Sequence, residues 1–457
     1  MSFEICLYLV SCILEIYMLN FLFTQTPLTF LTQSLWRDEA FTYFLAKKNV
    51  LEIISLSIKE FNPPLYYILL HFWMRLFGES EISLRTFSLI FYWLTIYVAI
   101  TFLTEILKVD VRKRFLYFIF YILFFIVNPF LTYYAFEARN YTFFAFLATL
   151  SYYAFYKKNY KVYFFATTLG LYTHYFMVFV IFSQLLFNFL VKKKGRRYEI
   201  INKVIFKPLL IFLPWFLFIL FQKNLFAASF WIQRININTL VSLLGVLYTG
   251  YDGGFRSYSI RATLISLTLF LLIIALLKLR NRKYVSDSQL FLYLGLWAIG
   301  IPLLVAVISL FKPIFYPRYF IFSAVGFLLL LVYILEQVKG GIRTLAIILL
   351  FMIAFNYQKI QIQHYKKRDF QKVVKEMKAL AKKGDPIYVT SELDFFTAEY
   401  YFGENKVFVY SKAYDQIPDF VGKVLIPKEK VTSSLPVYPK RAFVLKSDGT
   451  YFVQALY

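Results

Sequence analysis

Residues 35–88 read LWRDEAFTYFLAKKNVLEIISLSIKEFNPPLYYILLHFWMRLFGESEISLRTFS. This stretch follows one apolar span and precedes another, so we expect it to lie just outside a bilayer. It opens with adjacent carboxylates, Asp38 and Glu39, between Trp36 and an apolar run that begins at Ala40. An acid pair beside aromatic side chains at a membrane edge indicates either a helix N-terminus or a catalytic group.

Composition places the chain among polytopic membrane proteins. Of its 457 residues, 60% are hydrophobic and only 17% are charged, whereas soluble domains carry about 25% charged residues. Apolar runs long enough to cross a bilayer as helices recur along most of the chain. We predict about eleven spans, at residues 4–24, 83–104, 115–130, 140–156, 161–173, 175–191, 204–222, 261–278, 287–310, 319–336 and 343–356. The first has no basic segment before it and no small-residue cleavage site, so we expect it to be retained.

Charge distribution predicts the topology. The formal net charge is +24, but much of it lies in short loops, where Lys and Arg orient a membrane protein. Nucleic acid is therefore not expected as a partner. Two cysteines, Cys6 and Cys12, are too few for a disulfide framework or a metal cluster. If the N-terminus is cytoplasmic, four basic clusters share the cytoplasmic side, at residues 108–114, 157–161, 192–197 and 278–283.

The opposite side then carries the unusual polar residues. They lie in the loop of Asp38 and in the loops or turns at residues 137–139, 174, 223–260 and 312–318. Charge bias and polar placement are separate observations, so their agreement indicates a functional site on the outer face of a cell membrane. The spans themselves are nearly free of charge, which argues against an ion-coupled transporter with a midplane site.

Two soluble segments are predicted. In the first outer loop, residues 32–82, amphipathic segments at 38–60 and 65–77 flank Asn62-Pro63-Pro64 and are expected to lie along the interface. Beyond about residue 360, helical spacing runs from Phe370 to Leu380. Strand-like runs follow at 386–390, 407–410, 424–426, 442–445 and 451–456. We therefore predict a transmembrane module at 1–360, which includes the first loop, and an extracytoplasmic α/β domain at 361–457.

Asp38 and Glu39 are the first candidate catalytic residues. As a helix cap and a first-turn acid, they would oppose the helix dipole. As a general base, a carboxylate at a membrane edge would have its pKa raised by partial desolvation. The two roles are compatible, because a cap also fixes the direction of the side chain.

The other candidates lie in the later outer loops. An Arg at a span end usually extends to lipid headgroups, but Arg139 has Glu137 nearby, and Arg suits bidentate phosphate binding. His174 is either a packing residue or a phosphate or metal contact. The remaining candidates are substrate contacts or residues of the membrane interface: Tyr141, Trp231, Arg318 and Tyr319.

Taken together, these motifs resemble the protein O-mannosyltransferase-like glycosyltransferases of family 39, which have the GT-C membrane fold and include the aminoarabinose transferases. The matching elements, in the order of the family, are WRDEA at 36–40, NPPLYY at 62–67, FGESEISLRTFS at 77–88, EARNY at 137–141, THYF at 173–176, WI at 231–232 and RYF at 318–320. They cover most of the chain up to about residue 360. Asn62 stands where aminoarabinose transferases have a Lys before the paired prolines.

The resemblance implies transfer of a sugar from a polyprenyl-phosphate donor to an acceptor hydroxyl outside the cytoplasm, with inversion at C1. It assigns catalysis to the acid pair, with Asp38 as the general base. It assigns binding of the donor phosphate to Arg139. We expect Arg318 and His174 to bind the same phosphate, because their side chains also suit an anion. Glu137, Tyr141, Asn62, Tyr319 and Trp231 are then expected to contact substrate.

Several alternatives stay open. A lipid or lipid-linked sugar flippase would explain the spans and basic loops equally well. The sugar is not identified, and the acceptor is a protein, a lipid or a glycan. No cofactor is certain, although Glu39, Glu137 and His174 are candidate ligands for a divalent metal ion.

Overall fold

The structure is a computed structural model that describes residues 18–60, 62–191, 196–221, 232, 234–250, 260–280, 287–382, 384–410, 412–437 and 440–454, with the backbone alone at 196–203. The chain divides into two compact units. The helical unit comprises Met1–Leu31, Arg85–Leu217 and Ile232–Tyr365, and the α/β unit comprises Thr32–Leu84, Phe218–Trp231 and Lys366–Tyr457. The first outer loop was predicted to belong with the membrane spans, but its contacts group it with the C-terminal residues.

The helical unit is built from mostly apolar helices of 5 to 25 residues. They are α5 (Glu81–Glu105), α6 (Phe115–Ile126), α7 (Pro129–Ala135), α8 (Tyr141–Lys157), α9 (Tyr160–Leu171), α10 (Met177–Leu190), α11 (Arg196–Leu220), α12 (Ile237–Val241), α13 (Leu243–Thr249), α14 (Ile260–Lys278), α15 (Ser288–Gly295), α16 (Ile301–Ser309), α17 (Ile321–Leu335) and α18 (Gly340–His364). A π-helical turn, Leu296–Gly300, joins α15 to α16. Helix α17 is buried along nearly its whole length, so the unit packs around it.

Five helices of the described residues are long and apolar enough to cross a membrane, and six if the bent pair of α6 and α7 counts as one span. This agrees with a polytopic membrane protein. The predicted span at 4–24 lies mostly outside the described residues. Helix α9 has only 12 residues and rises about 18 Å, less than a hydrocarbon core. The count of about eleven spans therefore stays a prediction.

The span predicted at 115–130 is broken. Helix α6 ends at Ile126, and α7 begins at Pro129 with a bend of 52° between them. Asn128 caps the new helix, because its Oδ1 accepts a hydrogen bond from Leu131 N at 3.0 Å. Pro129, the first residue of α7, has no N–H to continue the preceding hydrogen-bond ladder. The local cap and the proline together explain the break.

The α/β unit begins with short helices. Helix α1 (Thr29–Thr32) ends at the boundary, and only its last residue belongs to this unit. The predicted segment 38–60 forms two helices, α2 (Arg37–Lys47) and α3 (Val50–Ile58). Asn49 separates them, because its side chain accepts a hydrogen bond from Glu52 N at 2.9 Å and caps α3. Helix α4 (Leu65–Phe77) follows Pro64 at its N-cap, as the paired prolines predict.

The C-terminal residues form a small α/β sheet. Helix α19 (Phe370–Leu380) precedes β1 (Ile387–Val389), α20 (Phe395–Phe402), β2 (Val407–Tyr410), β3 (Val431–Thr432), β4 (Ala442–Leu445) and β5 (Tyr451–Gln454). The strand order is β3-β2-β1-β4-β5, and only β5 is antiparallel. A small apolar core on this sheet is formed by Tyr388, Leu435, Ala442 and Val444.

One predicted strand is wrong. Residues 423–425 form a single 3₁₀ turn instead of a strand at 424–426. Gly422, at φ +83°, turns the chain just before the segment, and Pro427 follows it. Leu425 N donates to Gly422 O at 2.9 Å, so the backbone bonds to itself and not to a neighbouring strand.

Candidate active site

Arg139 lies in the tight turn between α7 and α8. Its carbonyl accepts a hydrogen bond from Ser88 Oγ at 3.2 Å, and Ser88 O accepts one from Thr142 Oγ1 at 2.9 Å. Asn140 is the N-cap of α8 and donates through Nδ2 to Thr173 O at 2.9 Å. The turn is therefore fixed to α5 on one side and to the turn that contains His174 on the other.

Arg318 approaches the same place from a different part of the chain. It lies in a 3₁₀ turn, Pro317–Phe320, directly before α17. The Pro317 ring fixes the backbone at the start of this turn. The guanidinium carbon of Arg318 lies 4.7 Å from the ring centroid of Tyr316, a residue that the sequence analysis did not single out.

Two buried arginines converge on Tyr141. The guanidinium carbons of Arg139 and Arg318 lie 5.7 Å and 5.4 Å from the Tyr141 ring centroid, and each residue is only 7% exposed. Aromatic faces attract cations at this range, and the attraction strengthens when the pair is desolvated. We call Arg139, Tyr141, His174, Arg318 and Tyr319 the arginine cluster. Its two fixed cations suit an anion with several oxygens.

His174 contributes a neutral ring to the cluster. The ring stacks on Phe144 with 4.7 Å between centroids and lies 5.1 Å from Tyr319. Burial, with the positive charges of Arg139 and Arg318, lowers the pKa of His174 from 6.5 to about 3. The backbone N–H of Phe176 donates to Nδ1 at 3.2 Å, so the neutral ring carries its proton on Nε2. His174 can therefore offer a hydrogen bond to an anion at neutral pH, but not a charge.

This environment predicts a pH dependence of stability. Above the unfolded pKa of 6.5, His174 is neutral in both states and adds no dependence. Between pH 6.5 and about 3, the unfolded chain binds a proton that the folded chain excludes. The free energy of unfolding should fall with decreasing pH in this window, by up to about 1.4 kcal/mol per unit.

The replacement His174→Asn is expected to flatten this slope, because Asn Oδ1 can accept from Phe176 N without titrating. Melting temperatures of the purified protein in lipid nanodiscs, compared at about pH 5 and about pH 7.5, test the expectation. Between about pH 7.5 and 8.5 the two proteins should show the same slope. An equally steep acid slope in the variant would contradict the assignment to His174.

Asp38 and Glu39 lie in the α/β unit and have different surroundings. Helix α2 begins after its N-cap, Trp36, so both acids lie in its first turn. Asp38 is half-buried, whereas Glu39 is fully buried. Glu39 Oε2 accepts from Trp36 N at 2.8 Å and forms an ion pair with Lys367 Nζ at 2.7 Å. These contacts give Glu39 a structural role, which leaves Asp38 as the candidate base of the pair.

The remaining predicted residues are placed as follows. Glu137 is buried in the turn of Arg139, and Asn62 is half-buried in the loop before α4. Trp231 lies outside the described residues. Among the residues that the structure describes, no group of three His, Cys, Asp or Glu side chains is arranged to hold a metal ion.

Solved structures of one protein share this fold. ArnT from Cupriavidus metallidurans in the apo state has a TM-score of 0.62 and 12% sequence identity, and the match covers 97% of this chain and 93% of that one. ArnT of the same organism bound to undecaprenyl phosphate has a TM-score of 0.61 and 11% identity, with 96% and 93% covered. The chain has the fold of ArnT. This confirms the expected GT-C membrane fold.

The sequence comparisons return nothing further. No protein-family model matches the chain, and no curated protein matches it. Because the first of the two ArnT matches covers 97% of this chain, it includes residues of both units.

Proposed function

We propose that the protein transfers a sugar from a polyprenyl-phosphate donor to an acceptor hydroxyl on the outer face of the cell membrane. The observation that carries the proposal is the pair of buried arginines at Tyr141, in a fold shared with a protein solved with undecaprenyl phosphate. A phosphate that leaves from a sugar gains negative charge, and preorganised cations stabilise that charge in the transition state.

The reaction is an inverting displacement. The acceptor oxygen attacks C1 of the sugar while the bond from C1 to the phosphate oxygen breaks. The electron pair of that bond stays on the polyprenyl phosphate. Asp38 accepts the proton of the acceptor hydroxyl as the new bond forms. Arg139 and Arg318 stabilise the departing phosphate, and the Nε2–H of neutral His174 donates a hydrogen bond to it.

Other residues have supporting roles in this proposal. Tyr141 holds the two guanidinium groups on its ring, and Tyr319 packs against His174. Glu137, Asn62 and Trp231 stay substrate-binding proposals. The sugar is a hexose or a pentose, and Asn62 argues against the aminoarabinose donor because the Lys of aminoarabinose transferases is replaced here. Mannose and a protein acceptor stay open within the proposal.

The test uses purified full-length protein in nanodiscs with a panel of radiolabelled polyprenyl-phosphate sugars. We expect wild type to release polyprenyl phosphate from at least one donor when cell-envelope acceptors are present. A flippase would bind the same donors and move them across a proteoliposome membrane with the sugar–phosphate bond intact. Translocation without release from any donor would overturn the transferase and support the flippase.

A further inference from the structure

The chain on both sides of Asp38 is held by charged residues that lie more than 300 positions later. Arg37 Nε forms an ion pair with Asp394 Oδ1 at 3.0 Å, and Asp394 is 6% exposed at its side chain. On the other side, the Glu39–Lys367 pair is 0% and 6% exposed. All of these contacts lie within the α/β unit. Both ion pairs start from the first turn of α2, and the carboxylate of each is buried, so the burial is costly unless the geometry of the pairs is fixed.

Asp394 lies in the turn that follows β1, the central strand of the sheet. Strands β2 and β4 flank β1 on opposite sides and both run parallel to it. The chain therefore reverses its winding direction at β1. In open α/β sheets, ligands bind outside the carboxyl ends of the strands at such a switch point. Asp394 follows the carboxyl end of β1, and Ser447 follows that of β4.

The chain's own residues bond to one another beside this switch point. Arg368 joins its two sides, because it contacts Asp394 Oδ2 at 3.3 Å and donates to Ser447 O. Arg37 then reaches the same carboxylate from the first outer loop. Arg37, the residue next to Asp38, is thus bound beyond the carboxyl end of β1.

Apolar packing supports the same attachment. Phe41, one turn beyond Asp38 on α2, meets Phe396 of α20 edge to face, with 5.6 Å between ring centroids. Gly422 approaches Phe41 so closely that a Cβ there would lie 2.3 Å from Phe41 Cδ2. Leu35 N donates to Tyr401 OH at 2.8 Å. The start of α2 is therefore held by polar contacts at its first turn and by aromatic contacts one turn later.

We propose that Asp394 and Lys367 are positioning residues, through which the C-terminal segment fixes the direction of Asp38. The inference rests on the proposed function of Asp38 as the general base. It gives the C-terminal segment a role in catalysis without contact with substrate. Misplacement of a catalytic group by about 1 Å can lower a rate by about 100-fold, so loss of either anchor should reduce turnover more than donor binding.

The test compares Asp394→Asn with the matched control Asp385→Asn. Asp385 lies before β1, at the opposite end of the same strand, and accepts from Arg441 at 3.0 Å with 10% of its side chain exposed. In full-length protein in nanodiscs, Asp394→Asn should lower kcat for polyprenyl phosphate release by about tenfold or more, with KM for the donor nearly unchanged. Asp385→Asn should keep the wild-type kcat per folded molecule. Lys367→Arg should retain activity that Lys367→Met loses.

A second measurement needs no substrate. Hydrogen exchange of the peptide that covers residues 35–46 should be faster in Asp394→Asn than in Asp385→Asn, because only the first loses an anchor of α2. Equal exchange and equal kcat in the two variants would overturn the positioning role. If exchange is faster in Asp394→Asn but Asp38→Asn keeps full activity, Asp38 is not the general base. That result would overturn the proposed base and the positioning role with it. The double variant Glu39→Gln/Lys367→Met removes both buried charges, so a fall in kcat there cannot be ascribed to one uncompensated charge.

Discussion

Replacing Asp38 with Asn is expected to lower release of polyprenyl phosphate by about 100- to 10,000-fold, the contribution of a positioned general base. Asn has nearly the same shape but cannot accept the proton of the acceptor hydroxyl. Donor binding should change little, because the proposed phosphate contacts lie elsewhere in the chain. The measurement is single-turnover release of labelled polyprenyl phosphate in nanodiscs, with donor affinity determined separately.

Stability provides the control for this variant. Asp38 lies in the first turn of α2, where loss of its charge should cost about 0.3–1 kcal/mol through the helix dipole. Glu39→Gln should instead lower the free energy of unfolding strongly, by about 3–5 kcal/mol, because it removes one partner of a buried ion pair. Full activity in a folded Asp38→Asn protein would contradict the role of Asp38.

Replacement of either buried arginine by Gln is expected to lower the same rate by about 100- to 1,000-fold, the effect of removing one preorganised group that stabilises developing charge. Arg139→Lys and Arg318→Lys should recover only part of the rate, because a Lys keeps the charge and loses the planar fork. The comparison of kcat with donor affinity in the four variants tests whether the cations act mainly in the transition state.

Arg343 offers a matched control for the arginine variants. It is also buried, at 3% exposure. Its side chain donates to Leu335 O, Glu336 O and Val338 O at the end of α17 and forms an ion pair with Glu336 Oε1 at 3.2 Å, so its contacts stabilise that helix end. Arg343→Gln should lower the melting temperature while each folded molecule keeps its activity. If the Arg139 and Arg318 variants show the same pattern as Arg343→Gln, the two arginines serve stability and not the phosphate.

The sequence predicts the local features of the fold well, because their causes are local. Apolar runs at residues 83–104, 261–278 and 287–310 coincide with helices α5, α14 and the segment Ser288–Ser309. The helical spacing at 370–380 predicts α19, and Pro64 predicts the start of α4. Where a cap within a pattern was missed, as at Asn128 or Asn49, one long helix was expected and two shorter ones are present.

The sequence spacing of the acid pair could not predict which of the two carboxylates is buried in an ion pair. Asp38 and Glu39 are neighbours in the same helical turn, and either carboxylate suits a cap or a base. Lys367 distinguishes them, and it lies 328 positions away from Glu39. The only signal in the sequence was the first-turn position itself, which favours a capping acid at N3 without naming its second partner.

The sequence alone determined that this chain is a membrane protein with its polar residues gathered in particular loops, because hydropathy and charge bias act through each segment separately. Tertiary structure decided which of those residues meet. It brought Arg139 and Arg318 to one tyrosine ring and left His174 neutral beside them. It also attached the first outer loop to helices and turns of the C-terminal segment. These outcomes depend on contacts across 35 to more than 300 positions, and such contacts are set by packing, which no periodicity within a segment records.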